Sequence, residues 1–416
     1  MIKENDLLSH IMNTNVLCAN TNSRRLWIKD KLLLAVLMIE LVLMIVEKSD
    51  VPFSLESYVF RLTFVMSLAV IAVTKYNKKE WIIIIAVLAG AFLCYRHTGN
   101  NDLLRYAAFT IACKEIDLNK ALKFTFWVTF TGYLIIVILA VTGIYGNFVL
   151  IEDFGRESGV ETRYVIGFGH PNTLQGAWYG LLLVLLYAYY KELKLWHMGI
   201  LGLMFAGLFI ITDSKTATLL TLVTIMAVVV TKIIDDKLLF VNDYSEKEVI
   251  IKNYSIFVGI VGMILYIFCI GFSVWAAIAS YYTKFHGFIK NLDNALTNRI
   301  FYLYYNSSLH KGAVQSWTLF GERGNDEYYF DMGWVRLIYW DGIIPGALII
   351  ILLGYVLYLY IKRRDNIAII VLVSLSVYTI VEATFVSAYI GRAFYILFLS
   401  VLFEGKRISV ELEDEK

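Results

Sequence analysis

Four short stretches hold the side chains whose types and spacing could do chemistry. Arg163-Tyr-Val-Ile-Gly-Phe-Gly-His170-Pro171-Asn172-Thr-Leu-Gln-Gly176 sets a guanidinium, an imidazole and a carboxamide just ahead of a long apolar run. Pro171 suits a first helical turn, and Asn172 or Thr173 can satisfy the N–H groups left open there. A helix start flanked by His and Arg is able to hold an anion. A capped helix entry with an interfacial histidine would use the same residues, and spacing alone does not choose between the two. Thr212-Asp213-Ser214-Lys215-Thr216 reads as a tight turn between apolar runs, where Thr and Ser close backbone hydrogen bonds. Lys215 is not needed for that and would face an anion at the bundle's mouth. Asn298-Arg299 and Phe320-Gly321-Glu322-Arg323-Gly324 follow, and Asp331-Met-Gly-Trp-Val-Arg336 leads into another apolar run. One carboxylate beside several guanidiniums can act as a base while the cations hold a leaving group. A helix N-cap is the plainer use of Asp331.

The elements that must position these groups are membrane spans. Hydrophobic residues make up 59% of 416, mean hydropathy is +0.65 and charged residues are 17%, against about 25% in an ordinary soluble domain. The chain therefore reads as an all-α integral membrane protein with no feature for nucleic acid. Runs from Leu32 to Val46 through Arg392 to Phe403 give about twelve spans when judged against the roughly 20 apolar residues a bilayer requires. The weakest is Leu103 to Cys113, which is short and carries Arg105. The organisation expected is a cytoplasmic N-terminal segment at 1–30, transmembrane helices at 31–279, an external cap at 280–332, further helices at 333–403 and a cytoplasmic tail at 404–416. The cap, between the ninth and tenth spans, has charged residues such as Lys284 and His286 and no run long enough to cross lipid, yet it is too aromatic for a solvated tether. The four cysteines are isolated, which excludes a disulfide framework or a C-x-x-C pair.

Lys and Arg alternate in density from loop to loop, which puts both termini and the basic loops in the cytoplasm. The other face has its own bias. It carries Arg96, Arg105, Arg156, Arg163, Arg299, Arg323, Arg336 and Arg392 against Lys48, Lys215, Lys284, Lys290 and Lys311. Lysine would serve topology equally well, whereas the planar guanidinium fork suits phosphate and carboxylate. Pairing of these arginines with external carboxylates such as Asp102 and Glu161 is the plainer reading. No Asp-x-Asp pair, P-loop, Gly-x-Ser-x-Gly or His-Glu-x-x-His is present, so external chemistry without metal or cofactor is expected.

From Arg163 to Gly346 the chain resembles the Wzy-type polysaccharide polymerases and, more distantly, the O-antigen ligases. The resemblance rests on Gly167-Phe-Gly-His170-Pro171-Asn172, on Ser214-Lys215-Thr216 where the family has Ser-Arg-Thr, on Asn298-Arg299, and on Asp331 followed by Gly342. It implies a GT-C-like, multi-pass, metal-independent glycosyltransferase of the bacterial cytoplasmic membrane. Such an enzyme moves a growing glycan from undecaprenyl diphosphate onto the terminal sugar of a lipid-linked repeat unit at the outer face. Its partners would be the undecaprenyl-diphosphate-linked oligosaccharide, membrane lipid, a flippase and a chain-length regulator. On this resemblance Asp331 and His170 are the candidate catalytic residues, and Arg163, Lys215, Arg299, Asn172, Arg323 and Arg336 the candidate substrate-binding ones. Lys215 departs from the family's Arg and loses its fork. Asp331 stands where ligases carry a His, which favours polymerase over ligase. The competing readings are a lipid-linked oligosaccharide flippase or other transporter, and a ligase-like glycan transferase.

Overall fold

The computed structural model describes residues 2–49, 51–153, 159–238, 243–282, 287–305, 309–383, 386 and 395–403, with side chains from residue 25 onward except at 153, 244 and 282. Arg156, Lys284, His286, Arg392 and the tail at 404–416 lie outside the described residues. The chain is mostly helical, at 77%. Among the described residues seven helices are long and apolar enough to cross a membrane: α2 (Glu56–Val73), α3 (Lys78–Thr98), α5 (Leu118–Val141), α7 (Leu195–Thr212), α8 (Lys215–Leu238), α9 (Tyr244–Tyr282) and α13 (Ile343–Lys362). They have the signature of membrane helices, with apolar side chains facing outward as well as inward: in α7 only Met198, Phe205 and Thr212 are buried. The preceding α1 spans Ile2–Glu47.

Two helices form the interior instead. α6 (Pro171–Ala188) and α14 (Asn366–Val381) are buried nearly all round. α6 packs on α5, α7, α8 and α14, and α14 on α8, α9 and α13. Polar side chains fasten them at chosen depths. Gln175 of α6 donates to Thr218 (3.0 Å) and accepts from Thr212 (3.3 Å), and Thr224 of α8 meets Ser374 of α14 at 2.9 Å. In an apolar interior such pairs fix the axial register of neighbouring helices.

Four features differ from the sequence-based expectation. The connection between α5 and α6 contains an antiparallel hairpin, β1 (Val149–Asp153) with β2 (Val160–Tyr164), that was not expected, in a chain otherwise consistent with the all-α membrane class. Over 103–113 the structure has α4 (Asp102–Ala112), about 16 Å long, too short to cross a bilayer by itself. The run expected to span from Gly333 to Tyr360 is broken into α12 (Gly333–Asp341) and α13. Gly342 makes the break at φ +93°, and the stretch Thr318–Gly321 laces into it: Ile343 and Ile344 N–H donate to Thr318 O (2.9 Å) and Leu319 O (3.0 Å), and Gly321 N–H to Asp341 O (2.8 Å). A side chain at Gly321 would meet Trp340 O at 2.0 Å. Finally, 395–403 forms only Tyr395–Phe398 and a 3-10 turn, not a spanning helix. Within the expected cap, the described residues hold α10 (Phe288–Ala295), α11 (Arg299–Tyr305) and two 3-10 turns.

Candidate active site

The two interior helices meet at one mouth of the bundle, where α6 begins and α14 ends. Asn172, in the first turn of α6, donates its amide to Glu382, the residue that ends α14 (3.2 Å). The same Glu382 oxygen accepts Arg299 Nη2 at 2.7 Å, and Arg299 Nε lies 3.3 Å from Asp331 Oδ2. Three segments far apart in the chain thus converge on one guanidinium. Asp331, with its side chain 59% exposed, is the open side of the cluster, and Glu382, at 18%, the closed side.

Arg299 is aimed by its own local structure. Asp293 of α10 accepts from Ile300 N–H (2.8 Å) and Phe301 N–H (3.2 Å), capping α11 from outside it. The two residues before Arg299, Thr297 and Asn298, sit at φ +58° and +59°. Asn tolerates that region, but a β-branched Thr there is strained. Strain adjoining a buried guanidinium fits a positioned group. Packing is equally close at α6: a Cβ on Gly176 would stand 2.5 Å from the Tyr378 hydroxyl, so α14 approaches α6 one turn below Asn172 only because no side chain intervenes.

His170 is the N-cap of α6. Asn172 N–H donates to its Nδ1 at 3.1 Å, and Pro171 occupies the first turn as expected. A backbone N–H can only donate, so Nδ1 is the bare nitrogen and Nε2 carries the proton. In that tautomer His170 offers a hydrogen bond at Nε2 instead of a base. Burial holds its pKa below the ordinary histidine value, a shift that Asp331 opposes and Arg163 and Arg299 reinforce. Glu382 moves the other way, its carboxyl raised by burial and by the charge of Asp331, against the pull of Arg299.

The remaining candidates divide by whether a carboxylate already neutralises them. Arg163, on β2, is buried against Glu161, from which its Nε is 2.8 Å, and lies 3.8 Å from Asp213 in the α7–α8 turn. This is the carboxylate pairing that the plainer sequence reading allowed, and it makes Arg163 a staple between the hairpin and that turn. Asp213 takes a left-handed conformation there (φ +49°), and Lys215 follows it as the exposed first residue of α8, with no ion pair among the described residues. Arg336 of α12 lies over the rings of Trp340 (4.5 Å) and Tyr329 (5.4 Å). Its Nη2 reaches Ala383 O at 3.5 Å, beside Glu382, its Nε is buried without a hydrogen-bond partner, and no carboxylate lies within ion-pair distance among the described residues. Arg323 is exposed in a turn, and among the described residues no contact joins it to the cluster.

Compared with protein-family models, curated proteins and solved structures, the chain finds no match in any of the three. Chemistry at the mouth must therefore be read from geometry. Asp331 does not cap α12, whose N-cap is Met332 with no side-chain hydrogen bond; it pairs with Arg299 instead. Glu382, whose carboxyl pKa is raised, and the exposed Asp331 share one guanidinium. Among the described residues neither Arg336 nor Lys215 has a carboxylate within ion-pair distance. Among the described residues no three His, Cys, Asp or Glu converge as a metal cage. Sequence reasoning missed Glu382 and Asp293. Its signal for Glu382 was available: a carboxylate directly after α14, a helix without a single charge.

Proposed function

We propose that the chain is a multi-pass polysaccharide polymerase of the bacterial cytoplasmic membrane, with both termini in the cytoplasm. It transfers a growing glycan from undecaprenyl diphosphate onto the terminal sugar of a lipid-linked repeat unit at the outer face. The observation that carries this reading is the meeting, at one mouth, of two carboxylates on Arg299 with Arg336, a guanidinium that has no carboxylate within ion-pair distance among the described residues. Asp331, the exposed member, takes the proton of the acceptor hydroxyl as its oxygen bonds to the anomeric carbon of the donor. The bond from that carbon to the diphosphate oxygen breaks, and its electron pair leaves with the diphosphate. Arg336 and Lys215 stabilise the charge that develops there. His170 donates from Nε2, and Asn172 keeps Glu382 in place. Arg163 and Arg299, expected to grip diphosphate, serve here as positioning groups because their charge is already matched.

A transporter of the same lipid-linked substrate is the second reading, favoured by one observation. Arg105 of α4 and Glu40 of α1 are both buried and 3.8 Å apart within apolar helices, and ion pairs at such depth are common along transport paths. The lipid-linked glycans of a deletion strain separate the readings. Single repeats accumulating at the outer leaflet support the polymerase, repeats trapped at the inner leaflet support the transporter, and long polymer retained on its carrier supports a ligase.

A further inference from the structure

The β1–β2 hairpin is built inside out for a loop in water. Strand residues alternate between two faces, and the register pairs Leu150 with Arg163 and Glu152 with Glu161 on one face, and Val149 with Tyr164 and Ile151 with Thr162 on the other. Glu152 and Glu161 therefore share the face that carries Arg163, which is buried and reaches Asp213. The opposite face is apolar apart from Thr162 and, at the turn end of the pair, Asp153 opposite Val160, and its Ile151 and Val160 are each 68% exposed. That exposed surface does not stop at the hairpin. It runs onto Ile144, 72% exposed, and the outward residues Val141 and Ile138 at the end of α5, and β2 packs beside α7. Both α5 and α7 are candidate spans whose outward sides are apolar.

We propose that the outward face of this hairpin is a lipid-binding surface, seated in the headgroup–acyl boundary of the leaflet at the mouth. The apolar surface that α5 presents outward extends onto the strands, while Glu152, Glu161 and Arg163 share the opposite face and Asp153 stands only at the turn end of the pair, where the boundary is hydrated. Two strands alone leave their outer N–H and C=O edges unpaired, which hydrocarbon does not tolerate and the hydrated boundary does. The depth expected is thus about 5–10 Å into the boundary, as for amphipathic interfacial elements. Held there, the hairpin keeps Arg163 and the α7–α8 turn at the lipid edge, independently of what chemistry the mouth performs.

The test is spin-label accessibility on the full chain in lipid nanodiscs. The four native cysteines are replaced by alanine, and single labels are placed at Ile151→Cys, Val160→Cys and, as a control on exposed α10, Lys290→Cys. Labels at 151 and 160 are expected to collide several-fold more with dissolved oxygen than with a water-soluble nickel chelate, and the label at 290 the reverse. Chelate collisions prevailing at 151 would overturn the proposal, since that face would then stand in water. Shielding from both reagents with spin–spin broadening would overturn it in favour of a second copy of the chain. Shielding that arises only on adding lipid-linked oligosaccharide would overturn it in favour of the substrate's polyprenyl tail. A companion variant, Ile151→Asp with Val160→Asp, is expected to lower thermal stability in nanodiscs, with little change for Thr162→Ser on the same face.

Discussion

Arg105 and Arg299 are the same device set in two places. Each is a buried guanidinium between two carboxylates: Arg105 lies 3.8 Å from Glu40 and 3.1 Å from Asp102, Arg299 2.7 Å from Glu382 and 3.3 Å from Asp331. The surroundings differ. Arg105 lies flat on Phe60, its carbon 3.3 Å from the ring centroid, and Glu40 is fully buried. Its backbone is ordinary helix. Arg299 follows two left-handed residues, opens to the mouth through Asp331 and shares Glu382 with Asn172. A closed trio fastens a short helix to its neighbour; an open one, beside strained backbone, leaves Asp331 accessible at the mouth.

The comparison breaks most sharply on stability. Arg105→Leu takes the guanidinium from beside buried Glu40, and breaking such a pair costs about 3–5 kcal/mol. Little folded protein is expected by fluorescence-detected size exclusion, with recovery in the double variant Glu40→Leu, Arg105→Leu. Arg299→Lys is expected to leave the protein inserted at near-normal level while long polymer falls about a hundredfold, the scale of misplacing Asp331 by about an ångström once the guanidinium fork that holds both carboxylates is gone. If both single variants lose folded protein equally, the two trios are not different in kind.

Arg336→Gln sharpens the division of labour at the mouth. It removes a cation with no carboxylate in ion-pair distance among the described residues, so thermal stability is expected not to fall, while the half-saturating donor concentration rises about tenfold, the scale of one charged hydrogen bond. A drop in stability with unchanged saturation would make Arg336 structural.

Glu382 gives a pH signature. Its folded pKa is raised, so the folded protein holds that proton to higher pH than the unfolded chain does. The associated stability is full below the ordinary glutamate value and is lost as pH rises through the raised one. Glu382→Gln should flatten that loss in thermal melts taken from mildly acidic to neutral pH. His170 runs opposite: its depressed pKa contributes stability above the ordinary histidine value, lost as pH falls through the folded one. The smallest effect is expected from Thr297→Gly, which relieves the positive φ and should raise stability by about 1 kcal/mol, with a modest loss of activity as Arg299 gains freedom.

Much of this was legible because local rules place it. His170-Pro171-Asn172 had to open a helix, and it does; Thr212 to Thr216 had to be a turn, and Asp213 makes it. Partners were not legible, because Glu382 lies 83 residues from Arg299 and nothing in either neighbourhood names the other. The hairpin was missed for a different reason. Val149-Leu-Ile is continuously apolar and only Val160-Glu-Thr-Arg-Tyr alternates, with Val160 and Tyr164 exposed and Arg163 buried, so hydropathy read them as fragments of loop. The Gly342 break was hidden by an apolar run continuous through it, since hydropathy carries no backbone torsion.

That break has a mechanical meaning. Because three amide hydrogens of the Thr318–Gly321 lacing bind across it, and Gly321 leaves no room for a side chain against Trp340 O, α12 cannot slide along α13 without unzipping main chain. The elevation of Asp331 and Arg336 above the top of α13 is accordingly set by a backbone joint. Side chains in the mouth can be exchanged without altering that height, and a single methyl group at position 321 would change it for all of them together.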